Sequence, residues 1–356
     1  LKTFIKRGHE VKAFTFTRQY PNILFPGKSQ FAGANDSMED VHAQRVLDTI
    51  NPLTYYKTAR SIMQFSPDML ITKYWMPFFA PALGTVTHQL KKKGVVNIAV
   101  LDNVIPHEKK FYDRILTRYF LNNCNAFVAM SRNVADDLKT FLPSANFALQ
   151  PHPIFDFGQA VSKEAAKDKL GLSANDNYII FFGFIRKYKG LDLLLEAMAN
   201  KRTANLNFKL IVAGEFYGDS SFYINKIREY GLQDKVVLRT DYIPSEMVRY
   251  YFCAADLVVQ PYRSATQSGV TQIAYHFEKP MLVTDVGGLA EIVPNGKAGY
   301  VVQPLAAEIA NALADFYEHK TEREPAMTEG CRDEKKRFLW DSFADGIEGL
   351  YKKVKG

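Results

Sequence analysis

The sequence predicts an α/β protein of two doubly wound domains, and three observations carry that expectation. Short, nearly continuous apolar runs alternate with helix-patterned stretches along almost the whole chain, the pattern of parallel strands covered on both faces. A length of 356 residues is more than one hydrophobic core normally serves. Between residues 151 and 177 the alternation pauses in a polar stretch broken by Pro and Gly, where a domain junction is expected.

The strand-like runs of the first half are HEVKAFTF (9–16), DMLITKYW (68–75), VVNIAVL (95–101), NAFVAMS (125–131) and NFALQPHP (146–153). Those of the second half are YIIFFGFI (178–185), FKLIVAGE (208–215), KVVLRTDY (235–242), LVVQPY (257–262), PMLVTDVGG (280–288) and GYVVQP (299–304). Residues 18–40 read as a long polar loop, a length that usually marks mobility or function. The expected domains are 1–155 and 156–356, and ligands of open α/β sheets bind at the carboxyl ends of the strands.

Composition narrows the class. Apolar residues at 47% and charged residues at 23% are globular values. No apolar run approaches the roughly 20 residues that span a bilayer, and no secretory signal is visible. The chain begins inside a helix-like stretch without an initiator Met, so a preceding segment is expected. Cys124, Cys253 and Cys331 are odd in number and lack metal-ligand spacing, which fits a reducing compartment and neither a disulfide scaffold nor a zinc site. Residues 1–150 hold 19 Lys and Arg against 11 Asp and Glu, a net of +8, while the whole chain carries +7. The basic excess therefore lies in the first half, which suits an anionic partner as well as a merely Lys-rich surface.

Three loops of the second half hold the chemistry. GFIRKYKG (183–190) places Arg186 and Lys189 between a strand and a helix amino terminus, a seat for a diphosphate and equally a solvated basic loop. RSATQSG (263–269) leads into a helix near Ser268, where Gly269 permits close backbone approach and Ser268 also suits a simple N-cap. DVGGLAEIVPNGKAG (285–299) ends a strand in a Gly pair that tight turns alone would explain.

Taken in order, these loops resemble the retaining glycosyltransferases of family 4, which have the GT-B fold. Arg186, Lys189 and Gly190 resemble the family's "GR-x3/4-KG" loop. QSGVTQIAYHFEKPMLVTDVGGLAEIVPNGKAGYVV (267–302) resembles its Gly-containing loop and its "GG-x-x-E-x-V-x-x-G-x-x-G" element. VAGEFY (212–217) and residues 236–262 resemble the intervening strands, and WDSFADGIEGLYKKV (340–354) the closing helix. The first half matches more loosely, through RGHEVKAFTF, SPDMLITKYW and LDNVIPHE (101–108).

The resemblance implies two Rossmann-like domains facing across a cleft, an acceptor domain at 1–155 and a nucleotide-sugar donor domain at 156–356, with 340–356 crossing back onto the first. It implies a diphosphate site of Arg186, Lys189, Ser268, Gly269, Val270 and Thr271, and a nucleoside site of Tyr242, Ile243 and Gln272. The donor sugar would meet Glu291, Gly288 and Gln267, with His107 and Asp102 as the catalytic candidates. No metal and no cofactor is expected, only a UDP- or GDP-linked sugar as donor substrate and a saccharide or lipid-linked acceptor. Nucleic acid is not an expected partner. A cytoplasmic protein is expected, peripheral on the inner face of an anionic membrane through Lys91–Lys93. The aromatic group Tyr74, Trp75, Phe78 and Phe79 would stack on an acceptor or form core.

Three departures bear on the chemistry. The family's two glutamates align with Ala265 and Ile273, and Gln267 and Gln272 are the nearest polar substitutes. Asp102 stands where related proteins often carry His, and the N-terminal Gly-rich loop is missing. The alternatives to transfer are therefore another GT-B enzyme, hydrolytic or epimerising, and a non-catalytic nucleotide-sugar binder. A phosphorylase would need a pyridoxal-phosphate lysine pocket, which the sequence does not display.

Overall fold

The computed structural model describes residues 1–21, 43–105, 111–265 and 268–356. They form two compact units, Leu1–Pro151 with Trp340–Gly356, and His152–Leu339.

In unit 1 the chain runs α1 (Lys2–Lys6), β1 (Ala13–Arg18), β2 (Ala43–Asp48), α2 (Pro52–Met63), β3 (Met69–Tyr74), α3 (Ala80–Lys91), β4 (Val96–Leu101), α4 (Asp113–Asn122), β5 (Ala126–Ala129), α5 (Arg132–Phe141) and β6 (Phe147–Leu149). β1 and β2 pair in parallel, and β3, β4, β5 and β6 form a four-stranded parallel sheet in that order. All six residues of β4 and all four of β5 are buried, because helices cover both faces. That explains why the runs 95–101 and 125–131 lack a polar alternation.

Unit 2 contains α6 (Lys163–Lys169), β7 (Tyr178–Phe182), α7 (Leu191–Met198), β8 (Lys209–Ala213), α8 (Ser221–Glu229), β9 (Val236–Arg239), α9 (Ser245–Ala254), β10 (Leu257–Gln260), α10 (Gly269–His276), β11 (Met281–Thr284), α11 (Leu289–Ile292), β12 (Gly299–Val302), α12 (Ala306–Glu318) and α13 (Lys320–Lys335). Its sheet is six-stranded and parallel, in the order β12-β11-β10-β7-β8-β9. Val258 of β10 enters the core on one face and Leu257 and Val259 the core on the other, so this unit too is doubly wound. Ile154 belongs to the first of these cores and donates its N–H to the Phe338 carbonyl at 2.9 Å, which fastens the start of the unit to its end.

α14 (Trp340–Lys355) returns to unit 1. Its Phe343, Ile347 and Leu350 pack on Val96, Ile98 and Val100 of β4 and on Ala126 and Val128 of β5. The opposite face of that sheet is covered by α2, α3, α4 and α5. The aromatic group at 74–79 belongs to this second core: Tyr74 stacks on Phe120 at 4.4 Å, and Phe79 is fully buried against Trp75. It is packing, and Tyr74 and Phe79 have no free face for an acceptor.

Candidate functional site

The sheet order of unit 2 creates one topological switch. From β7 the chain moves outward through β8 and β9, then returns to β10 on the other side of β7. The connections after β7 and β10 therefore leave the carboxyl edge in opposite directions, and the crevice between them is where open α/β sheets bind ligands.

The loop after β7 opens at Gly183, whose φ of +90° only glycine adopts without strain. A Cβ there would stand 3.0 Å from Lys189 Nζ, so the missing side chain is where the ammonium sits. Lys187–Lys189 make a single 3-10 turn, closed by Gly190 in the left-handed conformation at φ +70°. A Cβ on Gly190 would lie 1.9 Å from the Pro261 carbonyl oxygen, so the loops after β7 and β10 touch backbone to backbone. Arg263 strengthens that seam. Its N–H donates to the Tyr188 carbonyl at 2.7 Å, and its guanidinium grips Asp192 with two bonds of 2.7 Å.

Lys189 is the electrostatic centre of the loop. Its residue is 9% exposed, and its ammonium has neither hydrogen bond nor ion pair among the described residues. Burial, and secondly the charge of Arg186, push its pKa down to about 8. The ammonium lies 5.7 Å from the ring centroid of Tyr262, whose hydroxyl shares a 3.2 Å hydrogen bond with the Ser268 hydroxyl. Tyr262 thus links the first basic loop to the start of α10, a role the sequence reading did not assign. Its position two residues beyond a buried strand was the available signal.

Ser268 is a true N-cap. Its Oγ accepts the Val270 N–H at 3.2 Å, and the Thr271 hydroxyl donates back to the Ser268 carbonyl at 2.5 Å. Ser268 and Val270 are thus spent on each other. Gly269 is different: a Cβ there would meet nothing within 4 Å among the described residues, whose packing therefore does not demand glycine.

Arg186 lies on the exposed side of the same loop, its guanidinium 4.0 Å from the ring centroid of Tyr217. A short parallel bridge between Ile185 and Phe216 fixes their relation. Ile185 N–H donates to the Glu215 carbonyl at 2.8 Å, and Tyr217 N–H to the Ile185 carbonyl at 3.0 Å.

The other expected residues are more dispersed. Gln272 is buried on α10 with a partnerless Oε1, and Gln260 at the end of β10 is buried with both amide atoms partnerless among the described residues. Gln260 was not singled out from sequence, although a lone amide inside LVVQPY was the clue. Tyr242 follows β9, two strands from β7, and is 69% exposed, while the neighbouring Ile243 packs on the core. Gly288 caps the short α11, and Glu291 lies within it. In unit 1, Asp102 follows β4; its Oδ2 pairs with Lys73 Nζ at 3.1 Å and its buried Oδ1 has no hydrogen-bond partner among the described residues. His107 and Gln267 fall outside the described residues. Where the family glutamates would stand, Ile273 is buried in the apolar core and Ala265 packs against it. Among the described residues no cluster of His, Cys, Asp and Glu suits a metal ion.

Two Rossmann-like parallel-sheet units with this loop order define an α/β protein of the GT-B class. Residues 162–332, within the second unit, match the family model described as glycosyl transferases group 1. Over 198 residues the chain is 32% identical to the D-inositol 3-phosphate glycosyltransferase of Segniliparus rotundus, covering 53% of this chain and 43% of that protein. It is 29% identical over 196 residues to the protein of that name from Corynebacterium aurimucosum, 53% of this chain and 46% of that one. The chain thus spans about half the length of the curated relatives it matches. Among solved structures it resembles sucrose-phosphate synthase from Thermosynechococcus elongatus, with a TM-score of 0.70 at 18% identity over 99% of this chain and 90% of that one. HepE from Anabaena, solved in complex with UDP, gives a TM-score of 0.68 at 16% identity, covering 88% and 86%. At these identities the likeness is one of fold.

Proposed function

We propose that the chain transfers a sugar from a UDP- or GDP-linked donor to a saccharide or lipid-linked acceptor, with retention and without a metal. The observation that carries the reading is Lys189: a buried lysine whose ammonium has no anion among the described residues, held at the switch point beside the capped start of α10. An unpaired buried cation is costly, and it is relieved by an anionic ligand. The match of residues 162–332 to the group 1 glycosyl transferase model supports a nucleotide sugar, and HepE, which has a similar fold, was solved with UDP and with UDP-glucose.

In this reading the donor diphosphate lies between Lys189, Arg186 and the first N–H groups of α10, which lack carbonyl partners within the helix. As the bond from the anomeric carbon to the phosphate oxygen breaks, these groups meet the charge left on the diphosphate. The acceptor oxygen bonds to the anomeric carbon on the same face, and its proton passes to the departing phosphate oxygen. No carboxylate stands at positions 265 and 273 to take it. Lipid-linked acceptors would place the enzyme at the inner face of the cytoplasmic membrane.

The apolar setting of Ala265 and Ile273 favours a second reading, a nucleotide-sugar binder without turnover. Calorimetry with UDP, GDP and their sugars, followed by a nucleotide-release assay, separates the two. Release accelerated by a saccharide or glycolipid supports transfer. Tight donor binding with no release under any acceptor supports the binder, and binding of no nucleotide overturns both.

A further inference from the structure

Unit 1 carries a second candidate surface, built on elements other than the loops proposed to hold the donor. α2, α3 and α4 lie side by side on one sheet face, with α3 in the middle. The inward side of α2 is Tyr55, Thr58, Ala59 and Ile62, and that of α4 is Thr117, Phe120 and Leu121. The outward sides are not polar in the usual way. α2 exposes Leu53, at 80%, and Tyr56, while the turn into α4 exposes Phe111, at 91%, and α4 itself Ile115, at 71%.

Charged residues on these outward sides are all basic. Lys57 and Arg60 continue the exposed side of α2 at the helical spacing of Leu53 and Tyr56, and Arg118 follows Ile115 by three residues. None of the three forms an ion pair among the described residues. α2 and α3 contain no Asp or Glu, and the one acid of α4, Asp113, falls on the opposite side of that helix by its period. Single exposed hydrophobics are ordinary, but four large ones on or beside two helices, with basic neighbours and no acid on those sides among the described residues, need a partner.

We propose that the outward face of α2 and α4 docks on an anionic lipid surface, with Leu53, Tyr56, Phe111 and Ile115 entering the headgroup boundary and Lys57, Arg60 and Arg118 meeting lipid phosphates. The chemistry favours this occupant over others. Apolar side chains set among Lys and Arg are the composition of helices lying in a membrane interface. A second copy of the chain would bring the same basic residues against each other. Bare aliphatic side chains such as Leu53 and Ile115 gain nothing from a nucleic-acid backbone.

The site differs from the one expected from sequence. Lys91, though exposed, is engaged by the fold, donating to the Asn122 carbonyl at 2.9 Å at the carboxyl end of α4, while Lys92 and Lys93 follow at the far end of α3. The parallel strands put the starts of α2 and α4 together at the carboxyl edge of the sheets, and the Lys91–Lys93 run at the amino edge.

The inference deepens the acceptor side of the proposed function, yet its test uses no donor, so its failure would leave nucleotide binding and sugar transfer intact. The full chain is sedimented with vesicles of phosphatidylcholine alone, and with about one third phosphatidylglycerol, at low and high salt. Binding should require the anionic lipid and weaken with salt. Arg118→Gln should lower partition roughly fivefold, and the Phe111→Ser, Ile115→Ser double variant roughly tenfold or more, with circular dichroism unchanged. A Lys92→Gln, Lys93→Gln variant should bind as the parent does. Negligible binding to both vesicles overturns the proposal, as does full binding by the double variant. It is equally overturned by a concentration-dependent dimer that the double variant abolishes, which would make this face a contact between copies.

Discussion

The guanidinium of Arg186 stacks on the ring of Tyr217, 4.0 Å from its centroid, across the bridge that joins the loops after β7 and β8. The stack holds the plane of the guanidinium and leaves its N–H edge free of any hydrogen bond or ion pair among the described residues. In the proposed donor site Tyr217 would thereby be a positioning residue for the outer cation, Arg186. Tyr217→Ala should weaken UDP or GDP binding by about 1 kcal/mol, roughly fivefold, while Tyr217→Phe keeps it within about twofold. Calorimetry on the two variants measures this, and equal losses for Phe and Ala would reassign the effect to the hydroxyl.

Lys189 should trade stability for binding. Its folded pKa of about 8 lies below the ordinary lysine value of 10.5, so the folded chain disfavours its proton. Above the ordinary value both folded and unfolded lysines are neutral and nothing is lost. As pH falls from there toward 8 the penalty grows, and below 8 it is fully present. Lys189→Met should therefore raise the stability of the free protein at pH 7 by an amount of order 2–3 kcal/mol, with little gain near pH 10.5. The same variant should lose most of its nucleotide affinity. Thermal unfolding with and without UDP reads both, and a destabilised variant at pH 7 would mean the ammonium has a partner after all.

A diphosphate beside Lys189 should return its pKa toward the ordinary range, so binding takes up a proton where the free lysine is partly neutral. Near pH 8.5 UDP or GDP binding should take up about half a proton or more, and affinity should fall as pH rises through 8. Lys189→Arg stays charged throughout, and should bind with no such uptake and a flatter pH profile. Calorimetry in buffers of different ionisation enthalpy counts the proton. Identical uptake in the Arg variant would assign the proton to another group.

Most of the architecture was legible because buried parallel strands leave an unbroken apolar signature. β7 and β8 fall inside the expected runs 178–185 and 208–215 for that reason. β2 was missed: in AQRVLD only Leu47 is buried, so the strand shows neither a continuous run nor a clean alternation. The candidate site was only partly legible. Loop order pointed to Arg186 and Lys189, but sequence could not show that Tyr262 links Lys189 to Ser268, since that link exists only where loops from β7 and β10 meet. Nor could it show that Lys91 is spent on the end of α4, because one exposed lysine reads like another until its carbonyl partners are placed.

Two glycines of the site should answer opposite ways to one methyl group. Gly190 combines a φ of +70° with a backbone oxygen 1.9 Å from any Cβ, and that oxygen belongs to Pro261 at the head of the neighbouring loop. Gly190→Ala adds left-handed strain of about 1 kcal/mol, and the clash must then be relieved by parting the loops after β7 and β10. A total loss of roughly 3 kcal/mol or more is expected, together with weaker donor binding, since Lys189 and Ser268 stand on either side of that seam. Gly269 is helical, and an added Cβ would meet nothing within 4 Å among the described residues, so Gly269→Ala should leave stability unchanged or raise it by about 0.5–1 kcal/mol. If a diphosphate lies against the first turn of α10, the new methyl stands where the ligand approaches, and nucleotide affinity should fall about tenfold despite the stabler fold. Paired urea unfolding and UDP titration of the two variants read this out. A Gly269→Ala protein that binds UDP as the parent does would move the diphosphate away from α10, while leaving Lys189 and Arg186 to be tested on their own.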